Sequence, residues 1–372
     1  MESQTSLHLT LIGPLPPPSG GMANQTRQLA QLLKQEGLTV DLVQVNPPYR
    51  PQWAGRLPGL RAVFRLIPYL MRLWQATRRA DVTHIMANSG WAWHLFAAPA
   101  LIISRLQGVP AIINYRGGNA GAFLQQQARI VLPILRQAKI LAVPSQFLAE
   151  LFERYDLPVI IVPNIVDLDR FKATADLTLR KPISTGPHLI VTRNLEALYD
   201  ISTALNAFAQ IHRHWPNARL TIAGSGPERQ NLEVQARQLD LADAVTFPGR
   251  LELQAMVELY ASAHIMLNPS RVDNTPNSVL EAWASGVAVV STAVGGVPYL
   301  VRDDEDALLV PPTNPDAMAS AVATLLEAPE KLEKLVNAGR NSAERFSWRQ
   351  VKPLWLSIYQ DLAEVRSQQA NA

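Results

Sequence analysis

The sequence predicts an α/β protein built from two parallel-sheet units, and three observations predict it. Short apolar runs rich in Val, Ile and Leu alternate with helix-length segments along the chain, the pattern of parallel strands covered on both faces by helices. Twelve such runs are more than one open sheet usually holds. A polar stretch over 162–187, VPNIVDLDRFKATADLTLRKPISTGP, has no clear apolar period, holds Pro182 and Pro187, and leaves six runs on either side. At 372 residues, 48% hydrophobic and 17% charged, the chain can fill two cores.

In the first half, strands are expected over 7–12, 40–45, 82–85, 111–115, 140–143 and 159–162. In the second they are expected over 188–191, 220–223, 244–247, 263–267, 287–290 and 307–310. Helical patterns lie between them, for example over 24–36, 202–214 and 227–239. The expected organisation is a first domain over 1–165, an interdomain linker over 166–187, a second domain over 188–346 and a C-terminal segment over 347–372. In that last segment Trp348, Val351, Trp355, Ile358 and Leu362 recur at helical spacing, an amphipathic helix with an apolar face to bury. Pro353 is expected to kink it or to start a new segment.

Composition excludes several classes of function. The chain has no cysteine, so disulfides, thiolate catalysis and thiolate metal sites are out. No apolar run approaches the roughly 18 residues of a spanning helix; the longest candidate, 95–103, reads as core. The first residues lack a signal-peptide layout, and a cytoplasmic protein is the expectation. Net charge is +3, but residues 1–165 carry 15 Lys and Arg against 7 Asp and Glu, whereas 166–372 carry 19 against 24. A basic first half suits an anionic partner or an ordinary solvated surface.

The densest chemistry lies over 273–301, DNTPNSVLEAWASGVAVVSTAVGGVPYLV. Asp273, Asn274 and Thr275 are capping types, Pro276 suits a first turn, 277–285 reads as helix, and Gly286 ends it. First-turn N–H groups lack intrahelical partners and favour an anion, and Ser278 can add a hydroxyl. Glu281, the sole charge in VLEAWA, can accept from vicinal hydroxyls such as those of a ribose, or can be a solvated helix glutamate. Asp273 reads equally as an N-cap. Gly295 and Gly296 turn the chain after a β-branched run.

Together these pieces resemble the retaining GT-B glycosyltransferases of family 4, whose E-x7-E element precedes a small-residue helix, a strand and a Gly-Gly loop. Asp273 falls where the first Glu normally stands, and Glu281 matches the second. PPPSGGMANQTRQLAQLL resembles the family's N-terminal glycine loop and helix, VPNIVDLDRF its interdomain segment, VTRNLE its phosphate-binding Arg, LTIAGSGPER its glycine turn, and VTFPGRL the turn near the base. The resemblance spans nearly the whole chain.

The resemblance implies two Rossmann-like domains facing across a cleft, with the C-terminal helix crossing back to the N-terminal domain. The first domain would bind the acceptor and the second the nucleotide sugar. It implies that Glu281 holds the ribose hydroxyls and that Asp273, with Asn274 and Thr275, lies at the donor. Asn277 and Ser278 would hold phosphate through backbone N–H groups, and Arg193 would neutralise the diphosphate. Gly20, Gly21 and Gly224 would let backbone approach the donor, and Arg250 and Leu251 would lie beside the base. Catalysis would rest on Asp273, Arg193 and Arg116, with no metal and no cofactor beyond the donor. The implied partners are a nucleotide sugar and a glycan or lipid-linked acceptor, in polysaccharide or lipopolysaccharide assembly.

Three departures stand out. The family's lysine after Arg193 is absent, with Leu198 or Tyr199 in its place. Asp273 is one methylene shorter than Glu. Arg116 follows the strand where relatives carry a His. Arg116 or Arg271 is expected to offset the missing lysine.

Other signals carry less. DLD at Asp167–Asp169 matches a metal-binding motif but fits the interdomain pattern better. GSGPER has Arg229 at the third glycine position of a dinucleotide fingerprint. HRHW lacks ligand partners at metal spacing. Residues 50–79 interleave arginines with Leu, Phe, Ile and Trp, which suits peripheral contact with the inner face of a membrane or a core-facing helix with solvated arginines. The transferase reading competes with a sugar-nucleotide epimerase and with a scaffold that binds nucleotide sugar but has lost catalysis. A nucleic-acid binder is disfavoured, because aromatics are only 7%.

Overall fold

The computed structural model describes residues 7–17, 20–49, 60–173 and 182–370. They form two compact units, Met1–Ile165 with Val351–Ala372, and Val166–Gln350.

The first unit runs β1 (His8–Gly13), α1 (Gly21–Gln35), β2 (Thr39–Gln44), α2 (Leu60–Thr77), β3 (Val82–Ala87), α3 (Ala98–Leu106), β4 (Ala111–Tyr115), α4 (Ala120–Leu135), β5 (Ile140–Val143), α5 (Gln146–Glu153) and β6 (Ile160–Ile161). Its strands pair in parallel in the order β2-β1-β3-β4-β5-β6. β3 and β4 are buried along their whole length, which is why they read as continuous apolar runs rather than alternating ones. Among the polar residues of these strands, His84 of β3 is satisfied: Tyr359 Oη lies 2.7 Å from Nδ1 and Asn114 Nδ2 lies 3.0 Å from Nε2. Burial pushes this imidazole down to about 3, so it packs as a neutral ring against Trp355.

Tyr359 and Trp355 belong to the last helix, which runs Trp348–Ala370. It is one helix despite Pro353. The proline sits near the start and forfeits only the bond to the carbonyl of Arg349. Val351, Trp355, Ile358 and Leu362 are buried as their spacing predicts.

The second unit begins with α6 (Leu168–Ala173), followed by β7 (His188–Val191), α7 (Ile201–His214), β8 (Arg219–Ala223), α8 (Arg229–Gln238), β9 (Val245–Gly249), α9 (Leu253–Ser262), β10 (Ile265–Asn268), α10 (Asn277–Ala284), β11 (Ala288–Thr292), α11 (Val297–Leu300), β12 (Leu308–Val310), α12 (Pro315–Glu327) and α13 (Pro329–Ala343). Its order is β12-β11-β10-β7-β8-β9, again parallel. Residues 166–173 are packed structure rather than plain linker. Val166, Leu168 and Phe171 are buried in the second unit's core, with the Phe171 ring edge-on to Tyr260. Residues 174–181 of the expected linker lie outside the described residues.

In each unit the sheet grows outward in both directions from its first strand. β1 lies between β2 and β3, and β7 lies between β8 and β10. The strand order therefore reverses between β1 and β3 in one unit and between β7 and β10 in the other. Loops diverge at such points and leave a crevice outside the carboxyl ends of the strands.

α2 buries Tyr69 and Leu73 but exposes Ile67, Met71 and Trp74 along one stripe. Among the described residues, no helix is long and apolar enough to cross a membrane.

Candidate functional site

The second unit concentrates its polar side chains at its switch point. Arg193 follows β7, and Asp273 lies in the loop after β10. The Arg193 guanidinium donates to the Asp273 carboxylate at 2.6 Å, with the two side chains only 11% and 10% exposed. Charge-assisted bonds of this kind are strong, and a desolvated pair resists separation unless a replacement charge arrives. The other face of the guanidinium lies 4.1 Å from the centroid of the Tyr199 ring. Tyr199 thus occupies the stretch where the family's lysine would stand, and it packs on the arginine rather than adding a charge.

Asp273 also accepts from the backbone N–H of Asn274 at 3.0 Å. It is not the N-cap of α10. Pro276 holds that position with no side-chain cap, so the capping reading of Asp273 gives way to an ion-pair role. Gly286 ends the helix region at φ +65°, the left-handed conformation for which glycine is suited.

Beneath this pair, Glu281 meets Tyr260. The Tyr260 hydroxyl lies 3.1 Å from Glu281 Oε2, 3.2 Å from the Ser278 carbonyl and 2.7 Å from Thr192 Oγ1. Burial pushes the Glu281 carboxyl up to about 7 against the opposing pull of Tyr260 and Arg193. Burial, reinforced by Glu281, raises the Tyr260 phenol far above its ordinary value, so it stays a donor. The solvated-glutamate reading of Glu281 therefore fails. Ser278 Oγ and Arg193 Nε are buried without a hydrogen-bond partner, and orphaned polar atoms at a functional edge call for a specific explanation.

The glycines here serve chain against chain. A Cβ on Gly224 would sit 1.9 Å from the Arg193 carbonyl oxygen, and one on Gly295 would sit 2.1 Å from that of Asp273. Gly224 is thus required first by the loop that carries Arg193, a demand independent of any ligand. Arg250 reaches Asn194 Oδ1 at 3.4 Å, and Leu251 packs beside the core. Arg271 pairs within its own unit with buried Asp200 at 3.1 Å, and its N–H donates to the Leu198 carbonyl at 2.8 Å. That fixes the loop bearing Tyr199. Tyr199, Asp200 and Tyr260 were missed by sequence reasoning. Tyr260 reads as a core aromatic of α9, and no spacing rule ties it to Glu281, 21 residues away.

Gly20, Gly21 and Arg116 lie at the carboxyl edge of the first sheet. Gly20 is the cap position of α1, and a Cβ there would meet nothing within 4 Å. Arg116 donates to Gln25 Oε1 at 3.3 Å and to Asn164 Oδ1, and burial lowers it to about 10. Gln25 in turn brackets Ile165 through both backbone groups. Among the described residues no three His, Asp or Glu side chains cluster as metal ligands.

Two Rossmann-like units, one carrying a cation and a carboxylate at its switch point beside an anion-compatible helix start, define the GT-B class. Comparison with known proteins agrees. A family model described as Glycosyltransferase Family 4 matches residues 19–170, and one described as Glycosyl transferases group 1 matches 180–342. A D-inositol 3-phosphate glycosyltransferase of Segniliparus rotundus is 30% identical over 54% of this chain and 46% of its own length; a second such enzyme matches over 48% of its length, so this chain spans about half of these first curated relatives. An uncharacterized glycosyltransferase of Methanocaldococcus jannaschii is 24% identical over 93% of this chain and 95% of its own. Among solved structures, sucrose-phosphate synthase of Thermosynechococcus elongatus shares the fold at a TM-score of 0.77 and 21% identity, over 96% and 100% of the two chains. Anabaena HepE, solved with UDP and glucose, shares it at 0.71 and 18%, over 96% and 99%. Residues 19–170 are thus similar to Glycosyltransferase Family 4 and residues 180–342 to the Glycosyl transferases group 1, on a GT-B fold.

Proposed function

We propose that this protein is a retaining, metal-independent glycosyltransferase that moves a sugar from a nucleotide-diphosphate sugar to a glycan or lipid-linked acceptor, in cell-surface polysaccharide or lipopolysaccharide assembly. The observation that carries the reading is the buried Arg193–Asp273 pair over the Glu281–Tyr260 pair. On this reading Glu281 takes the ribose hydroxyls, the backbone N–H groups of Asn277 and Ser278 at the start of α10 take the phosphates, and Asn274 and Thr275 line the donor. Arg250 and Leu251 flank the base, and Gly224 gives the backbone its close approach to the donor. Arg193 then trades Asp273 for the diphosphate, and Asp273 is released toward the sugar.

In the reaction the anomeric C–O bond to the diphosphate breaks, its electron pair staying on the diphosphate. The acceptor oxygen bonds to the same carbon on the same face, and its proton passes to the departing diphosphate oxygen. Arg193 stabilises the charge that grows on the leaving group. The UDP in the HepE structure and the GDP-mannose dependence in the name of a Mycolicibacterium smegmatis relative, 25% identical, make a uridine or guanosine diphosphate sugar the first donors to try.

Peripheral contact with the inner face of a membrane belongs to the same reading. It rests on Ile67, Met71 and Trp74, exposed on a helix that also carries exposed Arg72, and on a stretch, 42–149, with 12 Lys and Arg against one acid. Residues 50–59 of the basic segment lie outside the described residues. A second reading, a nucleotide-sugar-binding scaffold without turnover, is favoured by one observation: Tyr199 stands where a second cation would.

Thermal shifts with UDP, GDP, ADP and CMP in EDTA, on wild type and Glu281→Ala, test the donor site. A ligand at 100 times its dissociation constant stabilises by about 2.7 kcal/mol. Stabilisation by one diphosphate, lost in Glu281→Ala, is expected; a shift that survives the substitution removes Glu281 from the site. Release of nucleoside diphosphate from the matching donor sugar then separates transferase from scaffold.

A further inference from the structure

The first unit has its own switch point, and the loop after β3 there carries a group that the donor site does not use. Trp91 is 78% exposed, the opposite of what a tryptophan does in a folded domain without a partner. It stands two residues beyond Ser89, at the start of the helical segment that continues into α3. Behind it lies His94, with ring centroids 6.1 Å apart, and behind His94 the buried Phe123 at 5.8 Å. The indole is therefore braced from within while remaining open to solvent.

Two helix irregularities meet behind this ring. Residues Trp93–Ala97 form a π-helical turn, the kind of bulge that recurs at functional sites. Pro99 explains where the turn falls, since it cannot donate to Leu95. In α4, Gln127 is non-helical at φ −129°, ψ 15°. Pro133 does not explain that kink, because the carbonyl it displaces belongs to Arg129. A hydrogen bond between His94 Nε2 and Gln127 Oε1 ties the two irregularities together. When His94 donates from Nε2, its Nδ1 is an acceptor and the Gln127 amide retains its two N–H donors.

The polar groups of this loop cluster, Asn88, Ser89, His94 and Gln127, include no carboxylate, lysine or arginine. Ser89 Oγ is fixed 2.7 Å from the Tyr115 hydroxyl. The neighbouring cation, Arg116, is held by Gln25 and Asn164. The sole acid between residues 42 and 149, Asp81, lies at the opposite end of β3 and pairs with Arg366. A flat apolar face beside such donors and acceptors suits a pyranose ring, which presents C–H groups on one face and hydroxyls at its rim. A phosphate or carboxylate would find no uncommitted cation there.

We propose that Trp91, with His94 and Gln127, forms a saccharide subsite on the first unit that holds the ring of the acceptor. The proposal rests on the transferase reading and narrows its acceptor to a sugar bound through its ring rather than through a lipid diphosphate. Trp91 stacks on the C–H face, and His94 and Gln127 bond a pair of ring hydroxyls.

Saturation-transfer NMR with methyl glycosides of glucose, galactose, mannose and N-acetylglucosamine tests it, on wild type, Trp91→Ala, Trp91→Phe, Gln127→Leu and Glu281→Ala. At least one glycoside is expected to give signals concentrated on one ring face in wild type. Trp91→Ala should weaken binding by roughly five- to tenfold, the worth of one aromatic contact, and Trp91→Phe should keep most of it. Gln127→Leu should weaken it with the stacked-face pattern retained. Nucleotide-induced thermal shifts should be unchanged in all three, which reports that these variants are folded. Glu281→Ala should lose the nucleotide shift and keep the glycoside signal, so failure of the donor reading is distinguishable from failure of this one. Absence of any glycoside signal in wild type, a signal that survives Trp91→Ala, or displacement of the glycoside by inorganic pyrophosphate would each overturn the proposal.

Discussion

At the carboxyl edge of the second sheet, Arg193 and Asp273 meet at 2.6 Å, nearly out of solvent, with Glu281 and Tyr260 beneath them. At the corresponding edge of the first sheet, Trp91 stands in solvent among neutral amides and hydroxyls, and Arg116 is held by amides. Both edges arise from the same device, a parallel sheet whose strand order reverses beside its first strand. The orders nevertheless differ: β7 has two strands on one side and three on the other, whereas β1 has one and four. The comparison teaches that topology supplies the crevice, while the dielectric of its lining sets its chemistry. A charged, enclosed lining strengthens electrostatics and suits a reaction that develops charge. A neutral, open lining with an aromatic face suits recognition of an uncharged ring.

The largest test of that difference is Arg193→Gln. Loss of one preorganised donor to a developing oxyanion costs about 10²–10³ in rate, so release of nucleoside diphosphate from the matching donor sugar should fall by that order. Trp91→Ala should leave hydrolysis of the same donor in the absence of acceptor within a factor of about two, the scale of a surface substitution. Equal losses in the two variants would erase the distinction between the edges.

A smaller effect separates the glycines. Gly224→Ala forces a Cβ against the Arg193 carbonyl and should destabilise the protein by about 1–3 kcal/mol in urea denaturation. Gly20→Ala adds a Cβ to open space on extended backbone and should change stability by less than about 0.5 kcal/mol. A large loss at Gly20 would show that the first edge is as tightly packed as the second.

The pH response sharpens the electrostatic half of the comparison. Glu281 titrates near 7 when folded against an ordinary value of 4.5, so between those values the native protein holds a proton that the unfolded chain has lost. Its contribution to stability is fully present below about pH 4.5 and is lost as pH rises through about 7. Ribose hydroxyls donate best to the ionised carboxylate, so nucleotide affinity should move the opposite way, rising by up to about tenfold per unit below 7. Titration of nucleotide affinity and melting temperature between pH 5 and 8, as round limits of the experiment, should show both slopes in wild type and neither in Glu281→Gln.

The smallest expected effect is at Tyr199. Its ring on Arg193 is worth about 0.5–1 kcal/mol. Tyr199→Leu should therefore weaken nucleotide binding by roughly two- to fivefold, with Tyr199→Phe near wild type. No change in Tyr199→Leu would reduce the stack to packing alone.

All twelve strand positions and the division into two units were legible in the sequence, because continuously apolar strands between helices announce a parallel sheet without reference to any distant residue. Glu281 was legible as an odd charge in an apolar helix, and Gly286 as a helix end, since both signals are local. The helix over 168–173 was not, because its two apolar anchors, Leu168 and Phe171, are set among charged residues that mask the period. Nor were Tyr199, Asp200 and Tyr260 legible as site residues. The 80-residue span from Arg193 to Asp273 and the 21-residue span from Tyr260 to Glu281 are closed only when β7, β9's connecting helix and β10 pack side by side.

The sequence by itself determined the fold class, the strand and helix positions, and which residues could bear charge at the ends of strands. The tertiary structure decided which of them meet. It made Asp273 an ion-pair partner rather than a cap, spent Arg271 on Asp200, set Tyr199 on Arg193, and left Trp91 in solvent. The physical reason is that periodicity and turn chemistry act over a few residues along the chain. Ion pairs, desolvation and exposure depend on distances through space, and the sheet sets those only once its strand order is fixed.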